Sequence, residues 1–135
     1  MADGKLQEIV WQWFEKANHD IIAVQRELTN EAPLTDIACF HCQQAAEKYL
    51  KAFLAAHLIK PPRIHDIATI LKACSELDAS FEQLEKVSYL TDFAVEMRYP
   101  DAFYMPVIDD ARKAYEDAIS VKNFVASRLG FRLED

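Results

Sequence analysis

Glycine is almost missing from this chain. Its two glycines are Gly4 and Gly130, so none occurs between Lys5 and Leu129. Tight hairpin turns between strands draw on glycine or Asn-Gly pairs, and a sheet-rich fold is excluded on that ground. Cysteine is scarce and odd in number, with Cys39, Cys42 and Cys74. That count does not fit a secreted disulfide framework. No apolar run approaches the length of a membrane span. Met1 to Lys5 is polar and no signal-type apolar run follows, so the expectation is a cytoplasmic protein. Positive charge is also short: 15 Lys and Arg stand against 22 Asp and Glu, a net charge of -7. Broad binding to a nucleic-acid backbone needs net positive potential and is not expected. A local basic patch can still hold one phosphate-bearing ligand.

What is present is helical. The chain has 135 residues, 51% of them apolar, one domain's worth and enough to bury a core without disulfides or metal. A single domain over residues 1–135 is the expectation. Pro33, Pro61-Pro62, Pro100 and Pro106 punctuate it, because proline breaks a helix interior and pushes the residue before it toward extended geometry. Five helices result. The first spans Leu6 to Leu28, with Leu6, Ile9, Val10, Trp13, Ala17, Ile21, Val24 and Leu28 on one stripe. The second spans Asp36 to Ile59, capped by Thr35 or Asp36. It carries apolar groups on more than one side, so it is expected to be the most buried. The third runs from His65 to Cys74. The fourth runs from Phe81 to Met97, with Leu84, Val87, Leu90, Ala94 and Met97 inward. The fifth runs from Pro106 to Leu129, with Val107, Ala111, Ala114, Ala118, Val121 and Val125 inward and Gly130 at its end. The fold class is all-α, an up-and-down antiparallel helical bundle.

The chemistry concentrates in the second helix. His41, Gln44, Lys48 and Lys51 are three, four and three residues apart, so they share one face. That face offers an imidazole, an amide and two ammonium groups, able to grip phosphate or a carboxylate-rich partner. The plainer reading has both lysines solvated, with Glu47 balancing them. Cys39-Phe40-His41-Cys42 has CxxC spacing, but no second ligand pair accompanies it and no strand precedes it. Buried structural cysteines are expected, and no metal. His65-Asp66 resembles a metal-phosphohydrolase centre only superficially, since its companion ligands cannot be placed. Asp109-Asp110 reads as a helix start rather than a magnesium site. No cofactor motif is present.

The segment Phe40-His41-Cys42-Gln43-Gln44-Ala45-Ala46-Glu47-Lys48-Tyr49-Leu50-Lys51-Ala52 resembles the signature of HEPN domains (higher eukaryotes and prokaryotes nucleotide-binding). Trp11, Trp13, Ala17 and Asp20, then Pro62-Arg63-Ile64-His65, then Arg98-Tyr99-Pro100, follow the family order over nearly the whole chain. The resemblance implies a HEPN-type bundle, a homodimer, and a place for His65 beside a ligand groove. In RNA-cleaving members an arginine at the position of Arg98 is followed after four to six residues by a histidine. Here Phe103, Tyr104 and Met105 stand in that region, and no histidine occurs after His65. Phenylalanine and methionine cannot move a proton, and an unassisted phenol is a poor base near neutral pH. The resemblance therefore implies a module that binds a nucleotide-type ligand, or the partner of a minimal nucleotidyltransferase in a two-component, toxin-antitoxin-like system. It does not imply an active RNase. Two alternatives remain: a toxin-like endoribonuclease using Arg98 with Tyr104, and a helical adaptor without a small ligand. The expected ligand-binding residues are His41, Gln44, Lys48, Lys51, His65, Arg98 and Tyr104, with none assigned as catalytic.

Overall fold

The computed structural model describes residues 2–94 and 105–131. Its elements are α1 (Ala2–Leu28), α2 (Thr35–Ala56), α3 (Ile67–Leu77), a 3₁₀ helix (Ala79–Phe93) and α4 (Ile108–Leu129). No strand occurs among the described residues, and no helix there is long and apolar enough to cross a membrane. The chain is an all-α helical bundle, as its glycine-poor sequence requires.

Helix directions follow from which side chains meet. Trp13 meets Lys51, Phe14 meets Tyr49, and Asp20 meets Lys48 and His41. Numbers rise along α1 as they fall along α2, so the two are antiparallel. Tyr89 bonds Asp117, Phe81 packs on Phe124, and Ser80 meets Arg128. The 3₁₀ helix is therefore antiparallel to α4. Thr35 Oγ1 donates to the Pro106 carbonyl at 2.6 Å, which ties the start of α2 to the start of α4. Four passes alternate in direction, and α3 packs on the 3₁₀ helix and on α2.

α2 is the axis of the bundle. Ala38, Cys42, Ala45, Ala46, Tyr49, Leu50, Ala52 and Leu54 are all fully buried. α4 answers with Ala111, Ala114, Ala118, Val121 and Val125, also fully buried. Alanine on both sides lets two helix axes approach closely. Phe14 adds an aromatic cluster, with Tyr49 and Phe131 edge-on at 4.8 and 4.9 Å between ring centres. The stripe expected for α1 leaves out Phe14, which is buried, and takes in Ile9, which is 41% exposed.

Several boundaries differ from the sequence expectation. Thr35 and Asp36 do not cap α2: Leu34 holds the cap position without a side-chain bond, because the Thr35 hydroxyl goes to Pro106 instead. α2 ends at Ala56 rather than Ile59. Leu58 adopts φ 63°, a left-handed conformation that costs an L-residue about 1–2 kcal/mol. α3 begins after Asp66, not at His65; the Asp66 carboxylate caps it by accepting from the Ala68 N–H and the Thr69 hydroxyl. α4 begins at Ile108, leaving Val107 outside the helix and 62% exposed. Gly130 ends α4 with φ 76° as expected.

The fourth helix is the instructive difference. It winds as a 3₁₀ helix, and its buried side chains explain why. Phe81, Leu84, Val87 and Leu90 are spaced by three throughout, and three residues per turn is the 3₁₀ period. An α-helix would swing that stripe around its axis. Met97, assigned to the same stripe from sequence, lies outside the described residues.

Leu50 is fully buried at the centre of α2. Leu50→Ala is expected to cost about 2–5 kcal/mol of unfolding free energy, whereas Ile22→Ala, at a side chain 41% exposed, costs under about 0.5 kcal/mol. Urea unfolding of both variants measures the difference.

Candidate functional site

Charged residues are seldom buried unless paired, yet α1 and α2 bury four polar side chains: Asp20, Gln43, Glu47 and Lys51. They are organised around two carboxylates. Asp20 on α1 receives His41 Nδ1 on one oxygen and Lys48 Nζ on the other, both at 2.8 Å. Glu47 on α2 receives Lys51 Nζ at 2.7 Å, Gln43 Nε2 at 2.7 Å and His65 Nδ1 at 3.0 Å. Gln44 Nε2 donates to Gln43 Oε1 at 2.7 Å. Lys51 also reaches the Ile64 carbonyl at 3.3 Å and lies 5.7 Å from the centre of the Trp13 ring. All four side chains of the expected helix face are held by this network.

The geometry has two consequences. Both histidines present Nδ1 to a buried carboxylate, and their side chains are 31% exposed at His41 and 51% exposed at His65. And Lys48, its ammonium pinned by Asp20, forms one wall of an open groove of about 410 Å³ lined also by Ile9, Gln12, Trp13 and Lys16. Such a groove falls in the size range of small-ligand sites.

Of the residues expected from sequence, His41 and Lys48 meet at Asp20, while Gln44, Lys51 and His65 meet at Gln43 and Glu47. Lys51 is buried rather than solvated. Arg98 and Tyr104 lie outside the described residues. Sequence reasoning gives too little weight to Asp20 and Glu47, the residues that organise the rest. Glu47 has a detectable signal, since it stands four residues from both Gln43 and Lys51, the spacing of helix neighbours. Asp20 has a weaker one, a carboxylate one position before Ile21 of the apolar stripe. The groove walls Gln12 and Lys16 have none, since their face is defined only once α1 is docked on α2.

The cysteines are structural. Cys39, Cys42 and Cys74 are free and fully buried. Burial raises all three thiols, Cys39 and Cys74 to about 12. Burial also raises the Tyr49 hydroxyl, helped by the nearby Asp20 charge; that hydroxyl donates to Asn18. Among the described residues no group of three or more His, Cys, Asp or Glu is placed to hold a metal ion.

Two outcomes follow. Glu47→Ala strands a buried ammonium and costs about 3–5 kcal/mol in urea unfolding; a Glu47→Leu/Lys51→Met double variant recovers most of that loss. The reactive species of cysteine is the thiolate, so at pH 8 a disulfide-exchange reagent titrates essentially no thiol in the folded protein and all three in denaturant.

The chain matches the family model described as HEPN domain over residues 10–129. No curated protein and no solved structure matches it. The helical architecture and the match over most of the length agree, and the chain belongs to the HEPN domain family.

Proposed function

We propose that this protein is a HEPN binding module. It holds a nucleotide-type ligand on the α1–α2 face and acts as the companion of a minimal nucleotidyltransferase, with no RNase activity of its own. One observation carries the reading: the groove that sets the Trp13 ring beside Lys16 and Lys48. An aromatic face stacks a base, worth about 1–3 kcal/mol per base. Two ammonium groups suit phosphate oxygens, and the Gln12 amide can pair with a base edge. The Glu47 network serves this groove indirectly, because it fixes Lys51 against Trp13.

The absence of RNase activity rests on the sequence. A histidine partner for Arg98 is missing, and no histidine of any kind follows His65. His41 and His65 are committed through Nδ1 to Asp20 and Glu47.

Calorimetric titration with ATP, GTP and their monophosphates tests the proposal. Saturable binding is expected, with affinity reduced about tenfold or more by Trp13→Ala and also lowered by Lys16→Ala, an exposed position whose change leaves the fold intact. Silence with every nucleotide removes the reading. Structured RNA incubated with the protein is expected to stay whole; cleavage lost in Arg98→Ala would restore the endoribonuclease alternative.

A further inference from the structure

In a 3₁₀ helix every third side chain stands directly above the last, because i and i+3 eclipse at three residues per turn. Phe81, Leu84, Val87 and Leu90 use one such row for the core. Glu82, Glu85 and Ser88 form the neighbouring row, and all three line a cavity of about 330 Å³ between this helix and α3. Glu82 and Glu85 therefore stand one turn apart, about 6 Å along the axis. α3 supplies the opposite wall through Ala68, Leu71 and Lys72, whose spacing of three and four puts them on one helix face. The volume falls in the range of small-ligand sites.

The polar groups of this cavity lack partners in the folded chain. Lys72, Glu82 and Glu85 form no ion pair among the described residues, so the ammonium on one wall and the carboxylates on the other stay uncompensated across the gap. The Ser88 hydroxyl oxygen is buried and has no hydrogen-bond partner, the one such side-chain atom among the described residues. A buried hydroxyl without a partner is uncommon in folded proteins. With no bond to give up, it is free to turn about χ1 and meet a group that enters the cavity. Surface carboxylates alone are ordinary. Unpaired charges of both signs beside a buried, unpaired hydroxyl are not.

We infer that this cavity binds a basic amino acid, a small zwitterion with a second cation on its side chain. The walls carry Lys72 against Glu82 and Glu85, and a ligand with one carboxylate and two cations answers each of them. The α-carboxylate meets the Lys72 ammonium. The α-ammonium meets Glu85 and donates to the Ser88 hydroxyl, one turn away, while the side-chain cation meets Glu82. Extended ornithine or lysine holds its two nitrogens about 6–7 Å apart, close to the rise of one 3₁₀ turn. The methylenes between them lie against Ala68 and Leu71. A diamine leaves Lys72 unanswered, and an amino acid with a neutral side chain leaves one glutamate unanswered. The cavity shares no residue with the α1–α2 groove and does not depend on the nucleotide reading.

Calorimetric titration of the whole chain at low ionic strength tests it. The probes are L-arginine, L-lysine and L-ornithine, with putrescine and L-norleucine as controls. At least one of the three basic amino acids is expected to bind saturably, and both controls at least about tenfold more weakly. Silence with all three, or putrescine bound as tightly as the best of them, overturns the inference. Added salt weakens the binding, because exposed charges are screened. Glu82→Gln/Glu85→Gln and Lys72→Met change exposed positions, so the fold stays intact while each variant binds about tenfold more weakly. Unchanged affinity in either sinks the proposal. Ser88→Ala separates a ligand contact from a structural one. It removes a buried hydroxyl without a partner, so the melting temperature holds or rises while affinity falls severalfold. A Ser88→Ala chain that melts lower, or that binds as the wild type does, counts against the site. Nucleotide titration of the same variants stays unchanged, which separates this test from that of the groove.

Discussion

A carboxylate at the centre of a helical bundle is tolerated only when cations and donors answer it, and Glu47 is answered from two directions. Lys51 and Gln43 come from its own helix, one turn above and one turn below. His65 comes from the segment that follows α2. The desolvation penalty of the charge is thereby converted into a geometric requirement. α2 must keep its register, the chain after it must return close enough for His65 to reach inward, and α3 must start where it does. Asp20 repeats the arrangement between helices, joining α1 to His41 and Lys48. The two carboxylates fix how α1, α2 and the approach to α3 meet, and the groove beside Trp13 is a product of that fixing.

Most of the other buried side chains are apolar, with hydrogen bonds such as Thr35 to Pro106 and Tyr89 to Asp117 tying the helices together. Alanine-lined packing of α2 on α4 is close and chemically plain, with Cys39 and Cys42 buried in the same helix. α1 meets α2 through larger side chains, with Phe14, Trp13 and Tyr49 in their contact. Small residues thus line the contact of α2 with α4, and aromatic rings its contact with α1.

Much of this architecture is legible in the order of the amino acids. Missing glycine and placed prolines mark the all-α class and the five segments. The α4 stripe can be read residue by residue, apart from Val107, because a long helix with regular spacing leaves little ambiguity. The polar site is half legible. Spacing puts His41, Gln44, Lys48 and Lys51 together, but periodicity says which residues share a face and not what faces them. Asp20 belongs to another helix, so its capture of His41 and Lys48 depends on docking. Lysine is usually solvated, and only a buried Glu47 reverses that expectation for Lys51. The winding of the fourth segment escapes for a related reason. A spacing of three is also half of the α-helical mixture of threes and fours, and only an unbroken run of threes singles out the tighter helix.

That winding sets the reach of the segment. Fifteen residues at the 3₁₀ rise of about 2.0 Å span about 30 Å, close to the roughly 33 Å of the 22-residue α4 beside it. Wound as an α-helix, the same stretch would reach only about 22 Å. The part of α4 it meets, from Asp117 to Arg128, spans about 16 Å. With seven residues fewer than α4, the segment thus reaches nearly the same length, so each of its turns meets a longer stretch of its neighbour.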